Sequence, residues 1–218
     1  MALDGLDGTT AIITGAGRGI GRATAHRLAA AEARVAVVDV DLSAAEDTAH
    51  AIAATGGRAL AVRADVGRAA DMEGAVAATV KAFGRVDILH NNAAWYPVKD
   101  ALETTEDEWD RVMAICLKGA WLMARAVLPH MLHAGRGRIV NTSSVHALVG
   151  FPAHTAYNTA KAGLVHLRNT VRGHMRHFRT PSRSSKRCLT PITALTASRC
   201  STRASNAAWT SIIAKMNY

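Results

Sequence analysis

The first half of the chain alternates between short apolar runs and longer stretches with the apolar spacing of a helix. The short runs are rich in β-branched residues, which is typical of strands buried on both faces of a sheet. The longer stretches carry good helix formers, and glycines follow several of them. Strands are predicted at residues 9–14, 34–39, 58–63, 86–90 and 138–142. Helices are predicted at residues 21–31, 43–55, 69–83, 106–133 and 155–178.

This alternation predicts an α/β fold in which parallel strands form a doubly wound sheet with helices on both faces. Ligands of such sheets bind at the carboxyl ends of the strands, so the residues that directly follow strands are the first candidates for function. Ser43 and Glu46 have the spacing of a capping box and are predicted to begin the second helix.

The last 40 residues differ from the rest of the chain. Residues 179–218 hold 13 Ser and Thr, seven Lys and Arg, no acidic residue and no Gly. Only residues 209–216 have a weak helical pattern. We therefore predict a folded domain at residues 1–178 and an atypical, basic, poorly ordered tail at residues 179–218.

The composition is that of a folded protein. Of the 218 residues, 49% are hydrophobic and 20% are charged, which argues against wholesale disorder. No apolar run reaches the length of a membrane span, and the acidic N-terminus lacks the layout of a signal peptide, so a cytoplasmic location is predicted. The cysteines are too scattered for a zinc site or a disulfide framework; they are Cys116, Cys188 and Cys200.

Charge is divided unevenly along the chain. The net charge is +9; all 17 acidic residues precede residue 111, whereas 16 of the 26 basic residues follow residue 110. A basic half raises nucleic acid as a partner. The ten aromatic residues do not interleave with the basic ones, as stacking on bases would require, so nucleic-acid binding is kept only as a distant alternative.

A glycine-rich turn follows the first predicted strand. It reads Thr14-Gly15-Ala16-Gly17-Arg18-Gly19-Ile20-Gly21. Glycines let the backbone turn sharply and approach a pyrophosphate, and a helix N-terminus supplies free N–H groups and positive potential. The spacing of Gly15, Gly19 and Gly21 differs from the common G-x-G-x-x-G of dinucleotide folds. Taken alone, this turn is therefore also compatible with a glycine-rich loop that binds no ligand.

Asp39 ends the second predicted strand, 18 residues after Gly21. Its carboxylate suits the hydroxyl groups of an adenosine ribose and repels a 2′-phosphate, which favours NAD over NADP. Arg18 acts in the other direction, because a guanidinium in this turn can pair with a 2′-phosphate. Asp39 is given more weight, and NAD is predicted.

Tyr157 and Lys161 are four residues apart in the last predicted helix and share a face of it. A nearby ammonium favours the phenolate, so Lys161 is expected to lower the pKa of Tyr157 from its ordinary value of about 10. The tyrosine could then act as acid or base near neutral pH. Ser144, just after the fifth strand, can donate a hydrogen bond to a carbonyl oxygen on which charge develops. This tyrosine–lysine spacing is also common on protein surfaces.

Taken in order, these segments resemble the short-chain dehydrogenase/reductase family from about residue 6 to residue 178. The matching segments are TGAGRGIG at 14–21, Asp39, Asp65-Val66, NNAA at 91–94, NTSS at 141–144 and YNTAK at 157–161. The resemblance implies a Rossmann-like fold that binds NAD(P). It also implies hydride transfer between the nicotinamide and the carbon of a small-molecule alcohol or ketone. Family members are often dimers or tetramers, so a homodimer or homotetramer is expected.

The resemblance further implies roles for single residues. Tyr157 would be the general acid/base, Lys161 would lower its pKa and hold the nicotinamide ribose, and Ser144 would orient the substrate oxygen. The pyrophosphate would be lined by Gly15, Arg18, Gly19, Ile20 and Gly21. The remaining contacts would come from Asp39 to the adenosine ribose, Asp65 and Val66 to the adenine, and Asn91 and Ala93 to the nicotinamide ribose.

The chain departs from the family pattern in two places that bear on activity. Cys116 occupies the position of an asparagine that supports a water in the proton relay to the lysine, and slower proton transfer is expected because a thiol is a weak donor and acceptor.

Beyond residue 178 the family's sixth strand, Pro-Gly turn and substrate-covering segment have no counterpart. The C-terminal strands are therefore predicted to be missing or replaced, and an exposed sheet edge favours aggregation. A shift of reading frame near codon 179 is our hypothesis for this change.

Three hypotheses on function follow. The first is an NAD(H)-dependent oxidoreductase that interconverts a secondary alcohol and a ketone with Ser144, Tyr157 and Lys161. The second is a family member that binds the cofactor with little or no turnover, because its substrate side is incomplete. The third is the basic nucleic-acid binder. No metal site is predicted, since the pairs His130/His133 and His174/His177 have no third ligand nearby.

Overall fold

Six parallel strands form one sheet in the computed structural model, which describes residues 5–177 and 192–194. The strands are β1 (Thr10–Thr14), β2 (Arg34–Asp39), β3 (Arg58–Arg63), β4 (Ile88–Asn91), β5 (Arg138–Thr142) and β6 (Ile192–Ala194). The helices are α1 (Gly19–Ala29), α2 (Leu42–Ala54), α3 (Ala69–Phe83), α4 (Glu106–Met113), α5 (Gly119–His133) and α6 (Thr155–His177). The strand order is β3-β2-β1-β4-β5-β6, so the winding direction reverses between β1 and β4. A crevice for ligands opens at such a reversal, at the carboxyl ends of the strands.

Apolar side chains cover both faces of the sheet. Along β1 the side chain of Ile12 joins a cluster with α3 and α5, whereas that of Ile13 joins a cluster with α1 and α2. In β2, Ala36 and Val38 belong to the first cluster and Val37 belongs to the second. Successive strand residues point to opposite faces, so two helical layers sandwich the sheet. The predicted Rossmann-like α/β fold is confirmed.

Four elements begin and end where the sequence pattern places them: β2, β3, α3 and β5. The predicted cap of α2 is wrong. Asp41, not Ser43, is the N-cap, and its Oδ1 accepts a hydrogen bond from Ala44 N at 3.2 Å. Both residue types cap helices well, and the carboxylate stands two residues earlier, which places Ser43 inside the helix.

The long helix predicted at residues 106–133 is continuous but changes its winding. A π-helical turn at Ala114–Lys118 separates α4 from α5 and contains Cys116. By length and composition alone Glu106–His133 is apolar enough to cross a membrane. In the fold, however, Met123, Val127 and Met131 of this segment are fully buried in the cluster with α3. The segment therefore packs as a core helix.

The place beside β5 is taken by residues of the predicted tail. β6 pairs in parallel with β5 over three residues, Ile192 opposite Val140, Thr193 opposite Asn141 and Ala194 opposite Thr142. The family's sixth strand is thus replaced by a short one. The predicted helix end at residue 178, the disorder of the tail and the weak helix at 209–216 lie outside the described residues.

Candidate active site

The glycine turn carries the chain from β1 into α1. Gly15 and Gly19 have φ values of +62° and +55°, a region that favours glycine because it has no Cβ. Arg18 is the N-cap of α1, is exposed, and does not cap the helix with its side chain. The first turn of α1 holds no acidic residue. The N-terminus of α1 therefore presents N–H groups and positive potential to an anion.

The turn packs so closely that side chains would not fit at three of its glycines, Gly15, Gly17 and Gly21. A Cβ on Gly15 would lie 2.8 Å from Ala93 Cα, and a Cβ on Gly17 would lie 2.9 Å from Asp39 Oδ2. Around Gly19, in contrast, a Cβ would meet nothing within 4 Å. The turn is therefore tight against β2 and β4 and open at the start of α1, which is the shape that a dinucleotide pyrophosphate needs.

Two residues outside the predicted set hold this turn in place. Thr14 Oγ1 accepts from Asn92 N at 3.0 Å and from Ala93 N at 3.1 Å. Asn92 Nδ2 donates to Thr14 O and to Gly15 O, both at 3.1 Å. The sequence contained a signal for them only as members of the TGAGRGIG and NNAA segments, because the partners lie 77 to 79 residues apart in the chain.

Asp39 lies at the carboxyl end of β2, beside the glycine turn. Its Oδ2 accepts from Gly17 N at 2.8 Å, and its Oδ1 accepts from Asp41 N at 3.1 Å. Each carboxylate oxygen has a further lone pair for a ligand hydroxyl. The carboxylate is therefore fixed beside the glycine turn, and its contact to a ribose stays a prediction.

The segment after β3 is built mainly from contacts within the protein. Asp65 Oδ1 accepts from Gly67 N, and Asp65 N donates to Asp71 Oδ2, both at 2.9 Å. Val66 is only 7% exposed and belongs to the core cluster of the sheet. A cleft of about 690 Å³ opens beside Asp65 and Val40 at the ends of β2 and β3. Asp65 borders this cleft, whereas Val66 lines the small cavity beside Lys161.

The side chain of Asn91 connects elements of the protein to one another. Its Nδ2 donates to Asn141 Oδ1 at 2.9 Å and to Ala120 O at 3.2 Å, which ties β4 to β5 and α5. The side chain is 6% exposed, and its Oδ1 has no hydrogen-bond partner among the described residues. A side-chain amide held in this way positions the strands, so the predicted contact to a nicotinamide ribose would fall to the backbone or to Oδ1.

Ser144, Tyr157 and Lys161 come together at the carboxyl ends of β4 and β5. Ser144 interacts with Tyr157 through a side-chain hydrogen bond. Lys161 Nζ lies 5.3 Å from the ring centroid of Tyr157 and donates to Thr142 O at 2.7 Å. Ser144 Oγ also accepts from His146 N at 3.2 Å, which fixes the hydroxyl beside Tyr157.

Electrostatics at Tyr157 differ from the expectation. Burial of the phenol, with a smaller contribution from Tyr96, raises the pKa of Tyr157 to about 12, and the hydrogen bond with Ser144 acts in the opposite direction. Burial also lowers the pKa of Lys161. The pKa of Tyr157 thus lies above its ordinary value and not below it as expected, because burial disfavours the phenolate and Lys161 is not among the groups that shift it. At neutral pH Tyr157 holds its proton.

Cys116 replaces the family's asparagine inside the π-helical turn. Its thiol donates to Trp95 O at 3.4 Å, and burial raises its pKa. A small cavity of about 10 Å³ lies between Cys116, Asn91 and Lys161. That volume is close to the least that holds one water molecule. Cys116 thus stands beside Lys161 as a buried, neutral thiol.

Aromatic rings surround the free side of Tyr157. The ring centroid of Tyr96 lies 4.0 Å from that of Tyr157, and those of His146 and His154 lie 5.3 and 6.5 Å from it. Phe151 stacks on His146 at 4.4 Å. Sequence reasoning gave Tyr96 and Phe151 no role, and no short motif marks them.

Comparison with known proteins agrees with this geometry. A family model described as short chain dehydrogenase matches residues 9–179. The chain belongs to the short-chain dehydrogenase family. D-Threitol dehydrogenase of Mycolicibacterium smegmatis is 41% identical over 160 residues, which are 73% of this chain and 62% of that protein. The 2-(R)-hydroxypropyl-CoM dehydrogenase of Xanthobacter autotrophicus is 44% identical over 165 residues, 74% of this chain and 66% of the relative.

The chain is also similar in three-dimensional structure to a solved protein. NAD⁺-bound xylitol dehydrogenase superposes with a TM-score of 0.77 at 31% identity, over 80% of this chain and 67% of that one. The chain covers less than two thirds of the length of both curated relatives. The likeness therefore concerns the cofactor-binding sheet and the Tyr157 helix of this short-chain dehydrogenase.

Proposed function

We propose that this chain is an NAD(H)-dependent oxidoreductase that interconverts a secondary alcohol and a ketone. The observation that carries the proposal is the convergence of Ser144, Tyr157 and Lys161 on the strand ends next to the glycine turn. Relatives named D-threitol dehydrogenase and xylitol dehydrogenase act on alcohols by their names, which supports the reaction class.

The residues around the turn fit a dinucleotide. The open space at Gly19 leaves room for a pyrophosphate at the N-terminus of α1, and Asp39 would hold the adenosine ribose. When bound, the nicotinamide supplies or accepts a hydride at its C4 atom. The carboxylate of Asp39 would stand where NADP carries its 2′-phosphate, so NAD is the proposed cofactor.

The chemistry of this chain is proton transfer and orientation. In the direction of ketone reduction, Ser144 donates its hydroxyl proton in a hydrogen bond to the carbonyl oxygen. Tyr157, protonated at neutral pH, gives its proton to that oxygen as the alcohol forms. The ammonium of Lys161, 5.3 Å from the phenol ring, stabilises the phenolate left behind. In alcohol oxidation the same proton moves in reverse.

The high pKa of Tyr157 and the replaced C-terminal strand favour a second candidate, a cofactor-binding family member with little turnover. The two candidates differ in turnover and not in cofactor binding. A homodimer or homotetramer and a cytoplasmic location stay predictions.

The test is the variant Tyr157→Phe, assayed with butan-2-ol and NAD⁺ and with butanone and NADH. Removal of the hydroxyl should reduce kcat by about 10²- to 10⁴-fold in both directions, the usual contribution of a positioned acid/base. The dissociation constant of NADH, followed by its fluorescence, should stay within about threefold because the ring is kept.

Full turnover by Tyr157→Phe would contradict the assignment of the acid/base. NADH binding by the unchanged chain without turnover of either substrate would favour the second candidate. Absence of NADH binding would exclude both.

A further inference from the structure

His154, beside Tyr157, has a fixed tautomer. Its Nδ1 lies 2.9 Å from Pro152 O. A backbone carbonyl can only accept a hydrogen bond, so Nδ1 carries the proton. In the neutral ring, Nε2 is then the acceptor.

His146 is fixed in the same way through a side chain. Its Nδ1 lies 2.7 Å from Asn158 Oδ1, while Asn158 Nδ2 donates to Phe151 O at 2.9 Å. The amide is thus oriented with its oxygen toward the imidazole, and His146 Nδ1 is the donor. Its Nε2 is again the acceptor of the neutral ring.

These two acceptors stand together next to the reacting position. The rings of His146 and His154 are 4.7 Å apart, edge to face, and both are half-buried. In the part of the chain that the structure describes, neither Nε2 has a hydrogen-bond partner. The ring centroids lie 5.3 and 6.5 Å from that of Tyr157, so both imidazoles border the space beside this ring.

We propose that His146 and His154 form an acceptor pair that binds a hydroxyl group next to the reacting carbon, so that the site selects vicinal diols and polyols. This inference rests on the proposed function. A diol brings a hydroxyl proton to a nitrogen lone pair. A carboxylate brings no proton and faces two lone pairs, and an alkyl or acyl chain leaves both nitrogens without a partner.

Two alcohols that differ by one hydroxyl group test the proposal. Butane-2,3-diol and butan-2-ol are oxidised at equivalent carbons, and 3-hydroxybutyrate adds a carboxylate. With NAD⁺ saturating, kcat/KM for the diol should exceed that for butan-2-ol by about tenfold or more, the contribution of one good hydrogen bond. 3-Hydroxybutyrate should be the poorest of the three.

The variants remove Nε2 and keep the donor at the Nδ1 position. The side-chain amide of asparagine places an N–H near the site of Nδ1, so His146→Asn and His154→Asn preserve the contacts to Asn158 and Pro152. The double variant should lose the preference for the diol, with the ratio falling to about one. His166→Asn, the same change at an exposed position of α6, should leave the ratio as it is.

A readout without turnover separates this inference from the proposed function. Long-range ¹H–¹⁵N spectra of the full chain at pH 8 should show Nδ1–H tautomers for His146 and His154, assigned through the variants. Butane-2,3-diol should shift their Nε2 resonances, and butan-2-ol should not.

Turnover without a preference for the diol, or a preference that survives the double variant, overturns the acceptor pair and leaves the oxidoreductase intact. If neither alcohol is oxidised, the proposed function fails and the spectra decide the pair alone. Nε2–H tautomers, or resonances that ignore the diol, then overturn it.

Discussion

Asp39 holds its carboxylate between two backbone N–H groups, Gly17 N at 2.8 Å and Asp41 N at 3.1 Å. In the proposed cofactor site this pre-organised negative charge would repel a 2′-phosphate. In Asp39→Ser the hydroxyl keeps an acceptor for the turn but not the charge. We expect the Kd ratio of NADPH to NADH, measured by fluorescence titration, to fall by about tenfold or more.

Asp41→Ser is the matched control for this prediction. Serine keeps the N-cap of α2, and the substitution removes one negative charge only two residues away. An equal fall of the ratio in Asp41→Ser would show that general charge, and not the carboxylate of Asp39, discriminates between the cofactors.

At the scale of single residues, the sequence predicted what depends on local order along the chain. Tyr157 and Lys161 share a helix, and Asp39 directly follows its strand, so spacing was sufficient to place them. The pKa of Tyr157 was not predictable, because its value of about 12 depends on burial among residues from other elements. The role of Asn92 was missed for the same reason, since its partners are on β1.

Helix α5 begins at a glycine that the packing requires. Gly119 is buried against the loop after β3, and a Cβ there would lie 2.9 Å from Val66 Cβ and 3.0 Å from Val66 O. A backbone atom cannot give way cheaply, so Gly119→Ala forces α5 or this loop to move. We expect the free energy of unfolding in urea to fall by about 1–3 kcal/mol.

Gly74→Ala, within α3, is the control with the opposite sign. A Cβ there meets nothing within 4 Å, and the residue is exposed. Alanine should stabilise the chain by about 0.5–1 kcal/mol through its helix propensity. Equal effects of the two substitutions would contradict the packing argument.

At the scale of elements, the pattern of apolar residues placed the strands and helices well because both periods are local. It did not distinguish Asp41 from Ser43 as the N-cap of α2, because the capping free energies of aspartate and serine differ little. The π-helical turn at Ala114–Lys118 was also missed, because its helical spacing of apolar residues continues without a break. β6 was not predicted, since its three residues form a strand only through pairing with β5.

At the scale of the whole molecule, the sheet places a histidine in the core near Lys161. His90 in β4 is 8% exposed; its Nε2 lies 2.8 Å from Thr142 Oγ1, and its Nδ1 has no partner among the described residues. Burial, with a smaller contribution from the charge of Lys161, lowers the pKa of His90 to about 4. The folded chain therefore resists a proton that the unfolded chain accepts with a pKa of about 6.5.

This difference makes folding depend on pH. Above about pH 6.5 neither state protonates His90, and its contribution to stability is fully present. As the pH falls from 6.5 towards 4, the unfolded state gains a proton that the folded state does not, so stability is lost.

In His90→Val, a β-branched residue replaces the imidazole on its strand, and this loss disappears. The unchanged chain should lose about 2 kcal/mol more than the variant between pH 7 and pH 5 in urea unfolding. His166→Asn, at an exposed position, should follow the unchanged chain; equal losses in all three would place the sensitivity to acid elsewhere in the fold.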